Sequence, residues 1–427
     1  MKKIKAAIIG IITIVLSTLM CDGGASISYA SAKMPKLPRY ERREDGVWYL
    51  KSTKGKNSKK KDDKKELQAR EGQSETYGKK TAVCMFTGDL MCLKGQQYDA
   101  GKKGRYDFFP SFKYVAPIFK SSDLVCANLE TLISESNPLT RFQVEENGQP
   151  QCNGPKAYLS ALKKAGFDMF ATANNHTCDW GLEGIIETKK NLDDAGFANV
   201  GTHYDTDGSA TGERFSIFDV NGIRIAVLSY THLINQRSKL TLTELNKTVH
   251  QFSQETVKKD ISDAKENGAD FVVVYLHYGS ENVEEINGTQ LRDSKYVAEA
   301  GADLIIGSHP HCLQPCEYIK TSDKRKVLCM YSIGNFVSSM ARDINNDTVI
   351  LRVEISKKVG KKKVTLKMSD VSYIPCKVMP KDGSQFVVMP IDINLNGGLS
   401  GTSLKEAGER IANLMNGVIP EYKQQNN

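Results

Sequence analysis

The chain has 427 residues, 40% hydrophobic and 25% charged, enough for one large or two ordinary domains around a sizeable core. Its formal net charge of +8 is uneven: residues 1–30 carry +2, residues 31–80 carry +8, and the rest nets −2. The bulk of the chain therefore lacks the basic surface that nucleic-acid binding demands, and no nucleic-acid partner is expected.

In chain order, "MKKIKAAIIGIITIVLSTLM" sets lysines before an apolar run from Ala6 to Met20, the pattern of a secretory signal or membrane anchor over residues 1–32. Small residues at Ser28, Ala30 and Ala32 suit cleavage, and the run is short of the ~20 residues of a comfortable span. Cleavage stays open. Cys21 follows Met20, not the small residue that lipid attachment needs. Residues 33–80 read as a basic, largely disordered tether, since "KSTKGKNSKKKDDKK" (51–65) has nothing apolar to bury and suits an anionic surface. The expected location is the outer face of the membrane or the medium, with membrane association through the N-terminus.

From residue 81 to 427 strand and helix signals alternate, as in a single folded body. "TAVCMFTG" (81–88), "DLVCANLE" (123–130), "FDMFATANN" (167–175), "GIRIAVLSYT" (222–231), "ADFVVVYLHYG" (269–279) and "ADLIIGSH" (302–309) predict buried strands. Helices are predicted at 111–121, broken near Pro117, and at 155–166, 183–196, 254–268 and 294–301. The segments 326–336, 347–356 and 362–375 predict strands without intervening helices, hence a second, more antiparallel sheet or sheet half. An amphipathic helix at 403–418 closes the chain. The predicted class is α/β, a four-layer αββα sandwich of two stacked mixed sheets flanked by helices.

The ten cysteines lie scattered in strand-like contexts, as small buried hydrophobes do, although Cys312 and Cys316 stand close enough to two histidines to suggest a structural zinc site.

Ligands of α/β sheets bind beyond the carboxyl ends of the strands. The polar residues found there are Asp89, then Asn128 and Glu130, then Asn174, Asn175 and His176, then His277, then His309 and His311. Singly, each has an ordinary reading as a helix cap, a turn residue or a core histidine. One acid, one amide and one imidazole at successive strand ends is instead a metal-site pattern. The mixed donors suit one or two ions of Mn²⁺, Zn²⁺ or Fe²⁺. In "HPH", side chains two apart on an extended segment are expected to point the same way.

These residues sit in "GDLM", "ANLET", "ANNHTCDWG", "LHYGSE", "GADLIIGSHPHCLQP" and "YSIGNF", and in that order they resemble the CapA/PgsA poly-γ-glutamate (capsule) biosynthesis proteins, distant relatives of calcineurin-like metallophosphoesterases. The resemblance implies Asp89, Glu130, Asn175, His277, His309 and His311 as metal ligands, with Glu130 bridging. It implies His176 as general acid, Asp179 and Glu281 as catalytic-site carboxylates that orient the histidines, and Asn128, Asn174 and Asn335 as residues lining the substrate site. Phosphoesterases place a histidine two residues after the first aspartate, and here that position is Met91.

The function implied is a metal-dependent hydrolase or transferase acting on a linkage of poly-γ-glutamate or a related anionic polymer. The alternatives are a non-catalytic binding or transport subunit working with membrane polymer-synthase subunits, and a general extracellular phosphoesterase. The polar stretch 140–155 is expected to shape the cleft.

Overall fold

The computed structural model describes residues 39–51 and 78–423, apart from 103–104, 143–144, 147, 204–213, 361–362 and 381–385. The expected signal or anchor and most of the tether lie outside the described residues. Among the described residues, no helix is long and apolar enough to cross a membrane.

Two eight-stranded sheets form the centre. The first runs, in spatial order, Tyr40–Arg42, Trp48–Leu50, Ser216–Val220, Ile223–Thr231, Phe271–His277, Leu304–Ser308, Lys326–Met330 and Cys316–Lys320. The four strands from Ile223–Thr231 to Lys326–Met330 are mutually parallel. The second runs Ala198–Val200, Met169–Ala171, Leu124–Leu129, Gly78–Leu90, Asp347–Val359, Val364–Pro380 and Phe386–Pro390, with the short Asn335–Val337 also beside Gly78–Leu90. Its first half is parallel and its second antiparallel, which is the sheet half expected from the helix-free C-terminal strands.

Three apolar layers hold these sheets. Along Phe271–His277, Val273 and Tyr275 point between the sheets toward Phe86, Cys126 and Leu351, while Val272, Val274 and Leu276 point outward. That period-two alternation with both faces buried is why the strand reads as an unbroken apolar run. The outward face is covered by Val257 and Ile261 of helix Gln254–Glu266 and by Val297 and Ala298 of helix Gly288–Ala300. Tyr158, Leu159 and Leu162 of helix Lys156–Ala165, with Leu192 of helix Gly181–Ala195, cover the other sheet. The architecture is the four-layer αββα sandwich.

Local chemistry explains where the boundaries differ from expectation. The segment 111–121 is broken as expected, but into two short elements whose bounds differ, Phe109–Phe112 and Ala116–Phe119, with Pro110 and Pro117 each in the first turn of its own. Helix Gly288–Ala300 starts six residues before the predicted 294, because Asn287 and Gln290 cap it reciprocally at 3.0 and 3.1 Å. The segment 326–336 is not one strand either. It leaves the first sheet after Met330 and enters the second at Asn335.

The tether boundary also needs correction. Residues 39–51, counted in the disordered stretch, form a hairpin that joins the first sheet, with Trp48 paired to Phe218. Tyr40, Val47 and Tyr49 are buried, and the Arg39 guanidinium donates to the buried Asp168 carboxylate, its Nε at 2.8 Å. The charged residues between those apolar ones masked the strand pattern.

Candidate metal centre

The strand ends meet where the sequence reading places them. In the second sheet Asp89 lies in register with Asn128 on one side and Asn335 on the other, and in the first His277 lies beside Ser308. Two glycines permit the crossing of the 331–335 segment that closes this edge. A Cβ on Gly307 would lie 1.9 Å from Tyr331 O, and one on Gly88 1.8 Å from Gly334 O. Backbone bonds from Ile333 N to Gly307 O and from Asp89 N to Gly334 O, both 3.0 Å, stitch the two sheets at this point.

Asp89, Glu130, Asn175, His277, His309 and His311 are all buried here. They form two groups whose donor atoms lie within 4.8 Å of one another: Asp89, Glu130 and His311 in one, Glu130, His277 and His309 in the other. Glu130 belongs to both. Its Oε1 lies 3.6 Å from His277 Nε2 and 3.6 Å from His311 Nε2, and has no hydrogen-bond partner. His309 Nδ1 is likewise buried without a partner. Native proteins rarely leave buried acceptors unpaired, so these two orphans fit a cation that takes their lone pairs. The asparagine joins the second group, with Asn175 Oδ1 at 2.9 Å from His277 Nε2.

The "HPH" segment is a bend and not an extended strand. His309 and His311 have φ of 94° and 56°, left-handed values that cost a non-glycine residue on the order of 1–3 kcal/mol. The extended geometry expected for this segment is therefore absent, but both imidazoles still reach one cluster, their ring centroids 6.0 Å apart. The bend sends His309 to the His277 group and His311 to the Asp89 group, one to each flank of Glu130.

Burial dominates the electrostatics. It pushes the Glu130 carboxyl well above its ordinary range, and the neighbouring Asp89 charge adds to the effect. It pushes His309 down to about 3 and His277 well below the usual imidazole value, with the other site histidines adding to both shifts. Burial thus favours the neutral forms of Glu130, His277 and His309, and a divalent ion held there would favour the Glu130 carboxylate.

Around the donors lies a layer of oriented amides and hydroxyls. Asn128 Nδ2 donates to Asp89 Oδ1 at 2.7 Å and to Glu130 Oε2 at 3.3 Å. Asn174 Nδ2 donates to Leu129 O at 2.9 Å, and Asn335 Oδ1 accepts from His311 Nδ1 at 2.9 Å. These three were expected to face substrate. Their buried amides are instead engaged with the ligand residues and the nearby backbone, which fixes the ligands. Ser308 Oγ, 2.9 Å from His277 Nδ1, does the same and was missed in the sequence, although it directly precedes "HPH".

His176 is buried beside the cluster, with Nδ1 2.7 Å from Asp179 Oδ2. Burial alone would lower its pKa, but Cys152 and Asp179 outweigh that and hold it well above the usual value. Glu281 does not join this pair. It is half-buried on its loop, and among the described residues no hydrogen bond or ion pair links it to a site histidine. Met91 is buried outside both donor groups. The nine described cysteines are buried unpaired thiols, and Cys316 Sγ packs 4.0 Å from Met415 Sδ, so no Cys312–Cys316 zinc site forms among the described residues. Cys152 was missed. It lies in the 140–155 stretch, its backbone N–H donating to Asp179 Oδ2 at 2.6 Å. Burial raises its thiol pKa, and His176 opposes the rise.

Comparison with known proteins places this cluster in a family. Residues 83–340 match the family described as bacterial capsule synthesis protein PGA_cap. The PGA biosynthesis protein CapA of Bacillus subtilis (strain 168) is 30% identical over 292 residues, 66% of this chain and 70% of that one. The capsule biosynthesis protein CapA of Bacillus anthracis is 28% identical over 260 residues, 59% of each chain. Among solved structures, the NAD nucleotidase of Haemophilus influenzae is similar with a TM-score of 0.44 at 12% identity, over 79% of this chain and 63% of that one. With more than half of its length matched, this chain belongs to the bacterial capsule synthesis protein PGA_cap family.

Proposed function

We propose that the protein is a metal-dependent hydrolase or transferase acting on a linkage of poly-γ-glutamate or a related anionic cell-surface polymer. The observation that carries this reading is the placement of Glu130 between two buried acid-and-imidazole groups, its Oε1 left without a partner. Asp89, Glu130 and His311 would hold one divalent ion, and Glu130, His277 and His309, with Asn175, the other. Mn²⁺, Zn²⁺ and Fe²⁺ all accept such donors. Bound there, the ions would supply Lewis acidity and a water acidified toward neutrality. His176, oriented through Nδ1 by Asp179, would give its proton to the leaving atom.

The polymer class comes from the relatives, whose names assign them to PGA and capsule biosynthesis. Export and membrane association through residues 1–32 rest on the lysine-rich, apolar start. On that reading the protein would work outside the membrane, with membrane polymer-synthase subunits as its partners. The test is to incubate the full chain with poly-γ-glutamate and Mn²⁺ and follow chain length by gel filtration. Shortening or transfer that disappears in Asp89→Asn supports the reading. Unchanged polymer across Mn²⁺, Zn²⁺ and Fe²⁺ refutes it.

A further inference from the structure

A third buried group lies beside the Glu130 cluster and shares no side chain with it: Cys152, His176 and Asp179, whose side-chain donor atoms all lie within 4.8 Å of one another. Among the described cysteines, Cys152 alone belongs to such a group. Asp179 Oδ2 organises it by accepting from His176 Nδ1 at 2.7 Å and from the Cys152 backbone N–H at 2.6 Å. The carboxylate therefore fixes the imidazole and the nucleophile-bearing backbone at once. With Nδ1 committed to Asp179, Nε2 is the ring atom left to exchange a proton with a neighbour. Asn175 Nδ2, on the adjacent residue, is buried without a partner and is an N–H donor not yet engaged.

A thiol, an imidazole and a carboxylate that orients the imidazole are the parts of a nucleophilic acyl-transfer centre, recognised by geometry and not by sequence order. We propose that Cys152, His176 and Asp179 form such a centre, taking an amide or ester carbonyl as substrate and holding the acyl group as a thioester. The proposal rests on the reading of this pocket as a polymer-processing site and names the bond acted on. The reacting form is the one in which His176 Nε2 has given up its proton: the Cys152 sulfur adds to the carbonyl carbon as the thiol proton passes to that nitrogen. The C–N or C–O bond then breaks, and His176 returns the proton to the departing amine or alcohol. Water or an acceptor amine next attacks the thioester, giving its proton to His176, and the thiol is regenerated with no oxidant or reductant consumed. Cys152 is fully buried, as are the donors beside it, so acylation requires this sheet edge to open to the acyl donor.

The test uses the full chain loaded with Mn²⁺ and p-nitrophenyl acetate as acyl donor, with an acid quench, intact mass and peptide mapping. The expected result is a burst of about one p-nitrophenolate per chain, with the acetyl group on Cys152 ahead of the other cysteines. Cys152→Ala is expected to lose the burst and keep its Mn²⁺ content. Should that variant misfold, the acetyl position in the unmodified protein decides alone. Acetylation elsewhere, no acetylation, or a burst that survives Cys152→Ala overturns the proposal. So does loss of a metal equivalent in Cys152→Ala, which would make the thiol a ligand. Failure of the metal reading is seen separately, as Mn²⁺ content unaffected by Glu130→Gln.

Discussion

Glu130 Oε1 lies 3.6 Å from His311 Nε2, close enough for the two to share a cation and too far for a hydrogen bond. The same oxygen stands equally far from His277 Nε2, so one carboxylate faces two imidazoles and satisfies neither. A buried acid in that position raises its own pKa or finds a metal, and both outcomes are measurable.

Each donor group is expected to load separately. His311→Ala should lose the ion of the Asp89 side and His309→Ala that of the His277 side, each lowering Mn²⁺ content by about one equivalent, whereas Glu130→Gln should lose both. Elemental analysis of the dialysed proteins checks this. Equal losses in all three variants would remove the bridging role.

The loop leading to Cys152 has its own pH dependence. Burial would raise the Glu187 carboxyl, but the hydroxyls of Ser134 and Ser136 and the N–H groups of Glu135 and Ser136 outweigh it and hold the group at about 2. A folded value below the ordinary 4.5 means that this stabilisation is fully present above pH 4.5 and is lost as the pH falls toward 2. Melting curves of Glu187→Gln and the unmodified chain should therefore differ above about pH 5 and converge in acid.

Arg39→Ala should cost about 3 kcal/mol or more in urea unfolding, because it leaves the Asp168 carboxylate buried without its cation. A change under about 0.5 kcal/mol would show that the 39–51 hairpin is not part of the body.

Gly307→Ala should prevent normal folding or cost about 3 kcal/mol or more, since the new methyl would meet Tyr331 O at 1.9 Å, a backbone atom that cannot rotate away. Gly401, with nothing within 4 Å of an added Cβ, is the control and should tolerate alanine.

Much of the centre was legible because strand ends are legible. Apolar runs ending in Asp89, His277 or "SHPH" mark the sheet edge, and the edge brings the residues together. What stayed hidden depends on contacts between segments distant in the chain. The left-handed backbone at His309 and His311 sits beside the 331–335 crossing and the Asn282 N to Pro310 O bond at 2.8 Å, long-range contacts that periodicity does not record. Asn128, Asn174 and Asn335 looked like substrate residues because only the fold shows which neighbours occupy their amides. Cys152 carried no signal of its own, since its link to Asp179 runs through its main chain.

The central claim is that Glu130 joins two cation sites, and a crystal of the full chain grown with Mn²⁺ tests it through anomalous scattering at the manganese edge. The account predicts two peaks flanking Glu130, one within ligand distance of Asp89 and His311, the other of His277 and His309, at about 2.0–2.3 Å. Saturating Mn²⁺ with no anomalous density at Glu130 would contradict it.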